Sequence, residues 1–155
     1  MRVQQLMTRA VWTCTPSDAL DSAARIMRDH GCGCVVVVDD QDRVRAVVTD
    51  RDICLCALRT LRPLQMLKIS DAMSSEIFTC RPEDSVAQAE DLMAQRRIRR
   101  LPVVDRRGCL VGIVSLDDMA REAARDKDLI ARPVTAEEVG LTLATVTRPR
   151  IVPEA

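Results

Sequence analysis

The sequence predicts an α+β fold: two tandem β-α-β-β-α units related by a pseudo-two-fold axis. Three observations carry that expectation. The chain repeats itself without gaps, each copy alternates strand-like apolar runs with helix-period segments, and turn residues fall at the same places in both copies. Sliding the chain along itself aligns positions 3–52 with 69–118 without an insertion, and 12 of the 50 pairs are identical. Ordinary residue frequencies give roughly three by chance. The identities include Met7/Met73, Thr13/Thr79, Cys14/Cys80, Pro16/Pro82, Asp39/Asp105 and Asp52/Asp118, and the only two aromatic residues, Trp12 and Phe78, occupy equivalent positions.

Each element follows in order. Residues 11–14 and 77–80 are short extended segments. Pro16 and Pro82 then open a turn, where a fixed φ suits the start of a helix. Thr15 or Ser17 is positioned to cap the first helix, and Asp84 or Ser85 the second. Leu20, Ala23, Ala24 and Met27 follow a 3.6-residue period, as do Val86, Ala89, Leu92 and Met93. Gly31-Cys32-Gly33 ends the first helix. The run 34–38 and its counterpart 101–104 are buried strands. Asp39–Asp42 and Asp105–Gly108 make hairpin turns, and 44–48 and 110–114 return. Second helices start at 50–52 and 116–118. The connection 57–68 contains Pro63 and is expected to be irregular or a bent helix. The repeats divide the chain into 1–62, 63–125 and a tail, 126–155. In the tail Thr135-Ala136-Glu137-Glu138 fits a capping box ahead of a short helix. That helix docks on the module or its dimer partner, or the tail is free.

Composition narrows the function. With 47% apolar and 30% charged residues, the 155-residue chain can bury a core and solvate its surface. The 23 basic and 23 acidic residues cancel, so there is no global field for nucleic acid or an anionic membrane. One Trp, one Phe and no Tyr exclude a row of base-stacking platforms. The apolar runs are short, and none approaches the roughly 20 residues needed to span a bilayer. The first residues lack the apolar core of a signal peptide. A cytoplasmic protein is expected, with its seven cysteines reduced.

The residues with chemistry lie at the end of each last strand: Thr49-Asp50-Arg51-Asp52 and Ser115-Leu116-Asp117-Asp118. A hydroxyl and a carboxylate three residues apart at a strand-to-helix junction form a capping box. The same geometry suits a nucleotide, because a helix N-terminus attracts phosphate and an Asp accepts from ribose hydroxyls. The run Arg96-Arg97-Ile98-Arg99-Arg100 has three readings: a solvated helix end facing the negative pole of its dipole, a phosphate contact, or a nucleic-acid patch. Cys32/Cys34 and Cys54/Cys56, with His30 nearby, admit a thiolate metal site or a redox switch. Small buried hydrophobes explain them more simply.

Taken together, the repeat resembles a pair of cystathionine-β-synthase (CBS) domains, a Bateman module. The matching stretches are Met7-Thr8 with Thr13–Pro16, Val35–Asp39 and Val47–Ile53 in the first copy. In the second copy they are Asp71–Met73, Arg99–Asp105 and Leu110–Asp118. The resemblance covers roughly residues 3–122.

It implies a regulatory module that binds an adenosine-type ligand, with AMP, ADP or ATP as regulatory ligand, no required cofactor and no catalysis. By the family's pattern Asp52 and Asp118 hold ribose, Thr49 and Ser115 approach phosphate, and Arg51 and Asp117 flank the ligand. The resemblance implies one cleft joining Thr49, Arg51 and Asp52 to Ser74, Ser75, Ile98, Arg99 and Arg100. It implies another joining Ser115, Asp117 and Asp118 to Thr8, Arg9, Cys32, Gly33 and Cys34. The first is expected to bind more tightly, because arginines gather there while Asp117 and Asp118 repel phosphate in the other. The copies depart from each other where Val35-Val36 and Arg45-Ala46 face the family-like Leu101-Pro102 and Val111-Gly112. The resemblance also implies a homodimer through the helices after the last strands, with Ile53, Leu55, Leu58 and Met119 free to bury. A separate regulated protein is a further expected partner; nucleic acid and membrane are not. The alternatives are a thiol-based redox or metal sensor on the same scaffold, and an interaction module with an empty cleft.

Overall fold

The structure is a computed structural model that describes residues 1–125 and 134–147. The first copy contains β1 (Thr13–Cys14), α1 (Leu20–His30), β2 (Cys34–Val38), β3 (Val44–Thr49) and α2 (Asp50–Thr60). The second contains α3 (Val86–Arg96), β4 (Arg100–Val104), β5 (Leu110–Ser115) and α4 (Leu116–Arg125), and α5 (Ala136–Val146) follows. The β-α-β-β-α order therefore appears twice, although the opening strand of the second copy is reduced to one bridge. Cys14 pairs with Val37 in parallel, and their counterparts in the second copy, Cys80 and Val103, pair in the same register. β1-β2-β3 make one sheet and β4-β5 a two-stranded one.

Local chemistry explains the elements. All five residues of β2 are buried, the pattern of a strand covered on both faces. In each hairpin one aspartate organises the turn. Asp39 Oδ1 accepts from the backbone N–H of Gln41 and Arg43, and Asp105 Oδ1 from Arg107 and Cys109. Asp42 and Gly108 take the left-handed conformation those turns require. Ser85 caps α3 in a capping box with Gln88. Neither Thr15 nor Ser17 caps α1. That helix begins later, after Ala19, whose position has no side-chain cap; the N–H of Leu20 is taken by the carbonyl of Leu67 instead. Of the connection 57–68, residues 57–60 complete α2 and the rest is irregular apart from a 3-10 turn at Leu64–Met66.

Both first helices end on a left-handed residue, which is Gly31 in α1 but Arg97 in α3. A side chain at φ 54 is strained where glycine is not. Arg97→Gly is therefore expected to stabilise the fold by a few tenths to about 1 kcal/mol in a denaturant titration.

The described residues form two compact units. One comprises Met1–Thr8, Cys80–Val103 and the described chain from Ile113 on; the other comprises Arg9–Thr79 and Val104–Gly112. Long-range backbone bonds build each. In the first, Val3 N–H donates to Asp84 and Gln4 N–H to Pro82, sewing the N-terminal segment beside α3. In the second, Val44 N–H donates to Gly108 and Leu110 N–H to Asp42, joining the two hairpin tips. Leu20, Met27, Val35, Val37, Val48, Ile53 and Ile69 centre the core of the Arg9–Thr79 unit. Val3, Val86, Met93, Leu101, Val114 and Met119 are the deeply buried residues of the other.

The tail helix forms where the capping box predicts it. Thr135 Oγ1 accepts from Glu138 N–H, and the Glu138 carboxylate accepts from Thr135 N–H. α5 packs on α3 and α4. The rest of the tail, 126–133 and 148–155, lies outside the described residues. This docking buries Glu90 of α3, whose Oε1 has no hydrogen-bond partner among the described residues. Burial, followed by repulsion from Glu138 and Asp91, pushes its carboxyl up to about 7.

Candidate functional site

Two structurally equivalent corners form where β3 meets α2 and where β5 meets α4. At the first, Asp52 Oδ2 accepts from Thr49 N–H at 2.9 Å and from Thr49 Oγ1 at 2.6 Å, while Asp52 N–H donates to Thr49 Oγ1 at 3.2 Å. At the second, Asp118 Oδ2 accepts from Ser115 N–H at 2.8 Å and Ser115 Oγ at 2.6 Å, and Asp118 N–H donates to Ser115 Oγ at 3.2 Å. The two sets of bonds match closely because a Ser/Thr-x-x-Asp capping box is closed by groups within one helical turn of each other. In both copies the capping box and the candidate ligand groups are therefore the same atoms.

The surroundings of each corner come from its own unit. At the first, Cys34 pairs with Thr49 across the sheet, and the Gly33 carbonyl accepts from Asp50 N–H at 3.4 Å. Ser74 exchanges bonds with Val47: its N–H donates to the carbonyl at 3.0 Å, and its Oγ accepts from the N–H at 3.1 Å. At the second, Thr8 and Ile113 exchange both backbone bonds at 2.9 Å, and the Arg99 carbonyl accepts from Leu116 N–H at 3.0 Å. Thr8 thus stands to β5 as Ser74 stands to β3. Of the expected companions of Thr49, Arg51 and Asp52, the structure brings Ser74 to their corner. Ser75 belongs to the same unit, and Ile98, Arg99 and Arg100 belong to the other. Thr8 reaches the Ser115 corner, whereas Arg9, Cys32, Gly33 and Cys34 belong to the unit that holds Thr49.

Electrostatics separate the corners. Arg51 and Asp50 are exposed beside the partly buried Asp52. At the other corner Ser115 and Asp118 are buried and Asp117 is exposed, with Arg100 Nη2 3.8 Å from its carboxylate. Sequence reasoning missed Arg121. One turn after Asp118 on α4, it donates to Asp118 Oδ1. The clue was available in the alignment of the two copies, which sets Arg121 against Leu55, and in the i, i+3 spacing from Asp118. Among the described residues, Asp52 Oδ1 has no such partner.

The other candidates resolve as follows. α3 ends at Arg96, so Arg96 lies in its last turn, where a cation faces the negative pole. Arg9 lines a cavity of about 770 Å³ with Val11, Val38, Arg43, Arg107 and Leu110. Arg43 is paired there with Asp39 and Arg107 with Asp105. Trp12 stacks on His30 with ring centroids 3.7 Å apart. Among the described residues, which include all seven cysteines, there is no disulfide. Burial, reinforced by Asp18 and Asp84 respectively, pushes the Cys14 and Cys80 thiols up to about 12, far from a reactive thiolate. Among the described residues no three His, Cys, Asp or Glu side chains converge as metal ligands. No helix among them is long and apolar enough to cross a membrane. Met119, expected to be free for a dimer interface, is fully buried within the chain, and Ile53 is also buried. Both face inward from their helices because α2 and α4 use that stripe to cover their own cores. Leu55 and Leu58 remain exposed.

A duplicated β-α-β-β-α unit whose copies each present a Ser/Thr-x-x-Asp corner defines a tandem-repeat module. The chain belongs to the CBS domain family: the family's model matches residues 3–58 and 69–125, one match per copy. It is 41% identical over 118 residues to the CBS domain-containing protein YhcV of Bacillus subtilis, covering 76% of this chain and 82% of that one. Among solved structures it resembles a putative signal-transduction protein with CBS domains from Burkholderia ambifaria. The TM-score is 0.74 at 26% identity, over 84% of this chain and 98% of the other. It also resembles CBSX2 in complex with AMP, with a TM-score of 0.71 at 26% identity, covering 82% and 98%.

Proposed function

We propose that this chain is a regulatory module that binds an adenine nucleotide, catalyses no reaction, and acts through a protein partner or its own homodimer. The observation that carries the reading is the state of Asp52. One carboxylate oxygen is locked by Thr49, which fixes the side chain, and the other, without a partner among the described residues, can accept from ribose hydroxyls. Arg51 stands beside it for phosphate. The AMP complex of the similar CBSX2 supports the ligand class. Ser74, Ser75, Ile98, Arg99 and Arg100 are the further contacts proposed for this nucleotide. Ser115, Asp117 and Asp118, with Thr8, Arg9, Cys32, Gly33 and Cys34, are those proposed for a second, weaker one. Seven cysteines in a chain with no signal-peptide-like start fit a reducing compartment, and the reading places the protein in the cytoplasm.

Calorimetric titration of folded, ligand-free protein with AMP, ADP and ATP tests the reading. Binding of at least one is expected, and no heat from any of the three overturns it. The homodimer has its own test. Leu55 and Leu58 are 51% and 70% exposed on α2, an apolar face suited to a second copy. Light scattering at micromolar concentration is expected to give twice the 17.2 kDa chain mass, and Leu58→Glu to return it to the single value.

A further inference from the structure

We infer that Arg121 selects between the two corners: it occupies the outer carboxylate oxygen of Asp118, while Leu55, its counterpart in the first copy, leaves Asp52 open. The inference rests on the nucleotide reading above and adds a further residue, besides Arg51 and Asp117, that makes the copies unequal.

The backbone is not the source of the difference. The capping bonds measure 2.9, 2.6 and 3.2 Å at the first corner and 2.8, 2.6 and 3.2 Å at the second. Nor is the acid, which is aspartate in both. What differs is one turn further along the helix, on the face that carries the carboxylate. In α4 the Arg121 guanidinium donates to Asp118 Oδ1. With Oδ2 already accepting from Ser115 N–H and Oγ, both oxygens of Asp118 are engaged. A ribose diol must then compete with a cation for its acceptor. In α2 the equivalent residue is Leu55, which has no donor, and among the described residues Asp52 Oδ1 accepts from nothing. Arg100, 3.8 Å from Asp117, adds a second internal pair at the closed corner.

The strength of the closure follows from exposure. The side chain of Arg121 is 68% exposed and that of Asp118 10%. A pair with one partner in water is a modest one, so it weakens ribose binding without abolishing it. The expected factor is about two- to fivefold.

Asp52→Ala weakens the first corner, so a change in AMP affinity on altering Arg121 in that background reports the second. Asp52→Ala with Arg121→Leu is expected to bind AMP about two- to fivefold more tightly than Asp52→Ala alone, with Arg121→Gln giving the same direction. In the otherwise unchanged chain, Leu55→Arg is expected to weaken AMP by a similar factor, with the oligomer mass followed in parallel because Leu55 is also exposed. Affinity unchanged or lowered on removing Arg121 overturns the inference, the second result making Arg121 a ligand contact instead. Absence of AMP heat in the unmodified chain overturns the nucleotide reading itself, and the inference with it.

Discussion

Asp52→Ala is expected to lower AMP affinity by about tenfold or more with little loss of stability. The open Oδ1 of Asp52 is an anionic acceptor held at the start of α2. Each hydrogen bond to such a group contributes about 1.5–3 kcal/mol, and about 1.4 kcal/mol is a factor of ten. The substitution also removes the Asp52 half of the capping box and a first-turn acid. Thr49 still caps α2 through its own hydroxyl, so the structural cost stays at about 0.3–1 kcal/mol. Binding and folding thus separate: calorimetry shows the loss, and thermal melts of the same samples show a small shift. Asp118→Ala is expected to cost less affinity, because Asp118 is already engaged by Ser115 and Arg121. Equal losses from the two variants would overturn the ranking of the corners.

The second large effect concerns Glu90. Its folded carboxyl titrates at about 7 against an ordinary 4.5, so between those values the native state holds more protons than the unfolded one. Stability therefore falls as pH rises through this window. The favourable contribution is complete below about 4.5 and gone above about 7. The cause lies in the packing of α5 on α3, which places the carboxylate out of water, near Glu138 and Asp91 and without a donor for Oε1. A tenfold change in proton affinity corresponds to about 1.36 kcal/mol, so the penalty at pH 8 is on the order of 3 kcal/mol. Glu90→Gln is expected to raise the melting temperature by several degrees at pH 8 and to leave it nearly unchanged at pH 4. Parallel melting profiles of the two proteins from pH 4 to 8 would show that Glu90 is not the group responsible. The first copy has Ala24 at this position and carries no such charge.

Much of the site was legible in the sequence, for a physical reason. The partners in a capping box lie three residues apart, so Thr49/Asp52 and Ser115/Asp118 close on local geometry alone. Ser85 with Gln88 and Thr135 with Glu138 did the same. The hairpin aspartates Asp39 and Asp105 likewise act on residues two and four positions away. The start of α1 misled, because Thr15 and Ser17 have capping side chains but the helix begins only where the carbonyl of Leu67 takes the Leu20 N–H. That partner lies far along the chain, beyond α2, and no local rule reveals it. Met119 misled for a related reason: a periodic apolar position does not say whether the helix turns it toward its own core or leaves it for a second copy.

The sequence by itself determined the duplication, the order of elements within each copy, the two equivalent corners and the capped tail helix. Each of these depends on short-range spacing, backbone propensity or self-similarity. Only the tertiary structure decided that Met1–Thr8 is sewn beside α3 and onto β5, that α5 lies over Glu90, and that Arg121 engages Asp118 while Leu55 leaves Asp52 open. Those outcomes depend on which distant surfaces exclude water together and which charged groups burial brings face to face. Two copies alike in their backbone bonds can therefore differ in whether their carboxylates are free to meet a ligand.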